Sequence, residues 1–255
     1  MCFTGIITAK SSLMLATYGQ SQHNDHGFAI VSPSHKIRTL NRKTFWDYVN
    51  NNIREIKLPI MFHYRLASVG AVNIDNVQLW TDLPFYAAHN GTFSRYNALS
   101  KTSDSREFAV NNQKEILAAL SGKMKKLKDK LEAIGHTSSV LFIGNKALDT
   151  FLVISLGKPV QIYHTKYEGK WSTNFFSAQI PISQKGWEIE VPVDINGWTV
   201  YRKQVIIDNF EEVTTDKIND FIAVVDANGG LLDYEDLDLP RWQSNIYTGY
   251  TRGGF

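Results

Sequence analysis

The chain has 255 residues, 43% of them apolar and 20% charged, with a formal net charge of +2. That profile fits a folded globular protein with room for a full hydrophobic core and excludes disordered, collagen-like and low-complexity classes. A lone cysteine, Cys2, excludes a disulfide scaffold.

Apolar runs such as 151–156 are strand-sized, well short of the roughly 18 residues that a membrane-spanning helix needs. The first residues show no basic segment followed by a long apolar one, so a cytoplasmic, reducing setting is expected. Short apolar runs between polar turns predict strands at 3–8, 13–17 and 28–31. Phe45, Val49, Ile53 and Ile56 recur at helical spacing and predict a helix over 44–56. Residues 60–62 and 85–88 are compact apolar segments that each run into a polar cluster, the pattern of strands delivering side chains to a site.

The clearest predicted helix covers 111–134, with Ile116, Leu120, Met124, Leu127, Leu131 and Ile134 on one stripe and Gly135 as its stop. Lys123, Lys125, Lys126, Lys128 and Lys130 lie opposite; they read as a solvated helix face or, less ordinarily, as a nucleic-acid surface. Strands are expected at 140–143, 150–156, 160–164 and 171–178, with a hairpin at Gly157–Lys158–Pro159. A last helix is expected over 215–225, capped by Thr214 or Thr215. Residues 206–255 hold ten acidic and three basic residues, and Trp242, Tyr247, Tyr250 and Phe255 make their end aromatic. The chain therefore divides into a domain at 1–205 and an acidic, aromatic C-terminal extension at 206–255. Helices between runs of strands fit a layered α/β or α+β domain.

Four polar features carry chemistry when taken together. With Met1 trimmed, Cys2 would place its thiol beside its own α-amine, whose ordinary pKa near 8 suits a general base; otherwise it is a small packed hydrophobe. Arg65, in His63–Tyr64–Arg65–Leu66–Ala67–Ser68–Val69–Gly70, offers a planar fork for a carboxylate or simply a surface ion pair. His89–Asn90–Gly91 offers a side-chain amide and a backbone N–H for an oxyanion, or a plain turn. In Ser103–Asp104–Ser105, Asp104 would hold an ammonium group or cap a helix.

In this order the motifs resemble the class II glutamine amidotransferase domain of the N-terminal-nucleophile (Ntn) hydrolases. Met1–Cys2–Phe3–Thr4–Gly5–Ile6 stands where that family reads Met-Cys-Gly-Ile. His63, Arg65, Ala67, Ser68 and Gly70 match its His-x-Arg-x-Ala-Thr/Ser-x-Gly motif, and His89, Asn90 and Gly91 its His-Asn-Gly. Residues 144–164 and 170–178 resemble its second sheet.

The sequence also departs from the family pattern. Phe3 and Thr4 follow the nucleophile, His23–Asn24–Asp25–His26–Gly27 only hints at the family's Arg-Gly-x-Asp-x-x-Gly loop, Gln78–Leu79 stand for His-Pro, and Arg106 displaces an acidic residue.

The resemblance implies an α+β fold, a four-layer αββα sandwich of two antiparallel sheets. It implies Cys2 as nucleophile, Asn90 and Gly91 as the oxyanion hole, and Arg65, Ser68 and Asp104 as the substrate-binding residues. No metal or cofactor is implied. Glutamine is the expected substrate and a separate synthase the expected partner for the ammonia, with no membrane or nucleic acid involved. The alternatives are an Ntn amidohydrolase of another amide and an inactive binding module of the same fold.

Overall fold

The computed structural model describes every residue except 1, 69, 94–95, 97–101, 136, 181–186, 196–197, 207–209 and 240–255, and only the backbone of 187–195 and 198–206. In chain order, β1 (Phe3–Ile7) is followed by two single-turn helices, α1 (Leu13–Ala16) and α2 (Tyr18–Ser21). Next come β2 (Phe28–Val31), β3 (Lys36–Thr39), α3 (Arg42–Asn52), β4 (Ile60–Tyr64) and β5 (Phe85–Asn90). Three helices follow, α4 (Asp104–Asn111), α5 (Gln113–Leu120) and α6 (Lys125–Ile134). Then come β6 (Ser139–Asn145), β7 (Thr150–Leu156), β8 (Val160–Tyr167) and β9 (Lys170–Phe176). A hairpin of β10 (Trp187–Ile195) and β11 (Trp198–Ile206) precedes β12 (Glu212–Ile218), β13 (Phe221–Asp226) and β14 (Leu231–Asp236).

Two antiparallel sheets form the body. The first has the order β12-β8-β9-β1-β4-β2-β3 and the second β14-β13-β7-β6-β5. Successive strand residues point to opposite faces, and here that alternation sorts side chains into layers. Met61 on β4, Ala88 on β5, Phe142 on β6 and Val153 on β7 pack between the sheets. Their neighbours Phe62, Ala87, Ile143 and Leu152 turn outward instead. The outer face of the first sheet is covered by α1 and by Phe45, Trp46 and Val49 of α3, whose N-cap Asn41 accepts a 2.9 Å bond from Thr44 N–H. The outer face of the second is covered by α4, α5 and α6 through Phe108, Ile116, Ala119, Leu127 and Leu131. Each fully buried large side chain contributes about 1.5–3 kcal/mol by leaving water. The result is the expected four-layer αββα arrangement.

Several sequence expectations are corrected. Residues 13–16 are helical, because so short an apolar run shows no usable period and Met14 and Leu15 N–H close turns onto Ser11 and Ser12 carbonyls. The single helix at 111–134 begins earlier, at Asp104, and is three helices. Asn112 leaves helical geometry after α4, and Gly122 at φ +82° turns the chain between α5 and α6. The apolar stripe survives that division, since Ile116, Met124, Leu127 and Leu131 are all buried.

Gly157–Lys158–Pro159 is not a hairpin: β7 lies in the second sheet and β8 in the first, so the chain crosses between layers there. The stretch expected as one second sheet is therefore shared by both. The helix expected at 215–225 is two strands. β12 pairs with β8 and β13 with β7, separated by Asp220 at φ +54°. Asp220 Oδ1 accepts the Gly157 N–H at 2.6 Å, and its own N–H donates to Ser155 Oγ at 2.9 Å, so the two crossings lie side by side.

The acidic segment beyond 206 thus supplies strands to both sheets, and the aromatic residues from Trp242 onward lie outside the described residues. On α6, Lys128 pairs with Glu132 and Glu235 and Lys130 with Glu115, so these lysines are matched by acidic neighbours.

Candidate active site

The antiparallel pairing of β1 with β4 sets Phe3 opposite Tyr64 and Thr4 opposite His63. That register brings the beginning of β1 alongside the segment that leaves β4. Cys2 Sγ lies 3.6 Å from the Leu66 carbonyl oxygen. Burial pushes its thiol pKa up; the Leu66 contact and the Arg65 charge oppose the rise, and the Asp104 charge adds to it.

Arg65 is 3% exposed. Its Nη1 donates to the Ala71 carbonyl at 3.1 Å, so the guanidinium is held by the loop that follows it. Burial lowers its pKa, opposed by Cys2 and Asp104. The preceding loop braces the same turn. Arg65 N–H donates to the Gly27 carbonyl at 2.7 Å, His26 N–H to the Arg65 carbonyl at 3.0 Å, and Ala67 N–H to His26 Nδ1 at 2.8 Å. His26 and Gly27, from the loop matched only loosely by the sequence, are therefore structural supports of Arg65. Ser68, expected to bind substrate, is exposed.

Asn90 ends β5 and is 1% exposed. Its Nδ2 donates to Ser177 Oγ at 3.0 Å, while Oδ1 is buried without a hydrogen-bond partner among the described residues. Gly91 follows at φ +155°. Asp104 is the first residue of α4, which Ser103 caps by accepting the Arg106 N–H at 3.3 Å. Asp104 Oδ2 accepts the Phe93 N–H at 2.6 Å and Oδ1 the Ser105 N–H at 2.8 Å. Burial raises the Asp104 pKa against those two bonds.

The departures from the family motifs have local explanations. The Gln78 side chain spans the backbone of His89, accepting from its N–H and donating to its carbonyl, and so fills the edge of β5. Arg106 points away from the site, to an ion pair with Asp82 and the face of Trp80. His89 turns to the helix side, stacked on Phe93 at 4.3 Å with Nδ1 2.8 Å from Ser105 Oγ. Burial drives both His63 and His89 down to about 3, so both rings are neutral at pH 7.

Electrostatic coupling joins Cys2 to Arg65, Asp104 and Lys158. Lys158 was not anticipated from the sequence, where it sat in an expected hairpin. It belongs instead to the crossing between sheets, and Gly157 beside it bridges Ser139, the residue against which Gly91 packs. Burial lowers its pKa and the Cys2 charge opposes this. Ser177 was also missed, since a serine after an aromatic strand carries no sequence signal.

Two antiparallel sheets between layers of helices make the fold an α+β sandwich. A structure of the glutamine phosphoribosylpyrophosphate amidotransferase from B. subtilis, complexed with ADP and GMP, aligns with 92% of this chain at a TM-score of 0.50 and 15% identity. A structure of the allosteric regulatory enzyme of purine biosynthesis aligns over the same 92%, with a TM-score of 0.49 and 16% identity. The chain spans about half of each of these chains, 49% in both cases. No protein-family model matches the sequence, and no curated protein matches it. Among the described residues no helix is long and apolar enough to cross a membrane.

Proposed function

We propose that the chain hydrolyses the side-chain amide of glutamine through Cys2 and passes the ammonia to a separate synthase. What supports this reading is a buried guanidinium, Arg65, and a buried carboxylate, Asp104, that each act electrostatically on the Cys2 thiol. A free α-amino acid presents the opposite pair of charges. Arg65 would take its carboxylate and Asp104 its ammonium, and a ligand lacking either group would forgo one charge-assisted contact.

The chemistry follows from the residues. With Met1 removed, the α-amine of Cys2 takes the proton of a thiol whose burial disfavours the thiolate. Sulfur attacks the amide carbon, and the oxyanion is met by Asn90 Nδ2 and Gly91 N–H; losing one such donor costs about 10²–10³ in rate. The tetrahedral intermediate collapses with the C–N bond breaking, the protonated amine returns its proton to nitrogen, and ammonia leaves a γ-glutamyl thioester. Water then attacks the thioester carbon and releases glutamate and the thiol. We place the protein in a cytoplasmic setting, with a separate synthase as the acceptor of the ammonia.

The test is glutamate release from glutamine by protein whose N-terminus is verified as Cys2, beside Cys2→Ala and Asp104→Asn. Release abolished by Cys2→Ala, with a KM at least tenfold higher in Asp104→Asn, roughly the effect of one charge-assisted hydrogen bond, supports the reading. No release from the verified wild type, alone or with a synthase, sinks it.

A further inference from the structure

The pairing of β9 with β1 runs Phe175 against Ile6 and Phe176 against Gly5, and then changes character. Ser177 N–H still donates to the Thr4 carbonyl at 2.9 Å. The return bond from Thr4 N–H goes to the Ser177 hydroxyl instead of its carbonyl, at 3.1 Å. A side-chain oxygen has thus been inserted into a sheet ladder two residues beyond Cys2, where the backbone fixes it. The same oxygen accepts from Asn90 Nδ2 at 3.0 Å, and Asn90 belongs to the opposite sheet. Ser177 is 2% exposed, so solvent does not compete for these bonds.

We infer that Ser177 is the positioning residue that fixes Asn90 as an oxyanion donor relative to the nucleophile's strand. This rests on the glutamine-hydrolysing reading of the site. The terminal torsion of an asparagine is broad and roughly two-fold, so an unanchored amide samples many directions. A donor stabilises a developing oxyanion only when its direction is already set. Ser177 Oγ takes one of the two Nδ2 hydrogens and leaves the other for the substrate. The same oxygen also accepts from Thr4 N–H, while the backbone bond from Ser177 N–H to the Thr4 carbonyl holds the strand without the hydroxyl.

The experiment uses the full chain with Cys2 at its N-terminus and the variants Ser177→Ala and Ser177→Thr. In Ser177→Ala, kcat on glutamine falls about 10- to 100-fold, short of the 10²–10³ for deleting an oxyanion donor itself. KM and the rate of Cys2 alkylation by iodoacetamide stay at the wild-type values, because neither uses the oxyanion hole. Ser177→Thr, which keeps the hydroxyl, restores most of kcat. The side-chain amide resonances of Asn90 move in Ser177→Ala and not in Ser177→Thr.

An unchanged kcat overturns the proposal. So does a parallel loss of alkylation, which would mean that the whole strand had moved. If wild type is alkylated but releases no glutamate, the glutamine reading fails separately, and the Asn90 resonances decide the role of Ser177: unmoved resonances overturn it. Should Ser177→Ala not fold, Ser177→Cys, with its weaker acceptor, takes its place with the same expected direction.

Discussion

A Cβ placed on Gly91 would collide with Ser139 Oγ and stand 2.7 Å from Ser139 Cα, so the turn after β5 is pressed directly onto the start of β6. Gly91→Ala must push this contact apart while holding φ at +155°. We expect a loss of about 1–3 kcal/mol in urea unfolding, the range for overpacking a tight site. Glutamine turnover should fall by at least the 10²-fold or so of one misplaced oxyanion donor. Normal stability in Gly91→Ala would show that the contact relaxes freely.

Gly122 is the control. It also has a positive φ, +82°, but a Cβ there meets nothing within 4 Å. Gly122→Ala should cost only the backbone penalty of about 1–2 kcal/mol and leave turnover and Cys2 alkylation unchanged. A large activity loss would contradict the assignment of this glycine to a helix connection alone.

Acid should unfold the protein through two imidazoles. His63 and His89 bind protons near pH 6.5 when unfolded and only near 3 when folded. Between those values the unfolded chain holds more protons, so their contribution is complete above 6.5 and is lost as pH falls toward 3. Two such groups give a slope of up to about 2.7 kcal/mol per pH unit. Urea midpoints measured from pH 7 to 4 should fall in that direction, and His89→Gln should flatten the fall. An unaltered slope in His89→Gln would exclude His89 as a contributor.

Lys158 couples electrostatically to Cys2, and a cation near a thiol favours its ionised form. Lys158→Met should therefore move the pH midpoint of Cys2 alkylation upward. Arg65→Gln should move it in the same direction, since Arg65 opposes the rise caused by burial. A midpoint that stays in place in Lys158→Met would remove Lys158 from the thiol's surroundings.

The strands that carry the candidate site were largely readable because they obey short-range rules. Residues 28–31, 60–62 and 85–88 are apolar runs bounded by turn residues, and each is a strand. Cys2, Arg65, Asn90 and Asp104 were found as motif residues, and Cys2, Arg65 and Asp104 fall within one electrostatic group. What escaped depended on partners distant in sequence. Asp220 looks like a helix residue until Gly157 and Ser155, more than sixty positions away, turn it into a crossing point. Lys158 and Ser177 reach the site only because β7 and β8 part company and β9 returns to β1. Asn112 and Gly122 interrupt a stripe whose apolar period continues through both breaks, and periodicity alone does not register them.

The placement of β1 between β4 and β9 also has a consequence for synthesis on the ribosome. The strand that completes the neighbourhood of Cys2 lies far downstream of it and ends at Phe176, with Ser177 just beyond. The second sheet gains β13 only after residue 226. Pairings across such separations form late, because the loop they close must be ordered first. The thiol therefore lacks the β9 side of its surroundings until Ser177 has left the ribosome, whatever has folded before it.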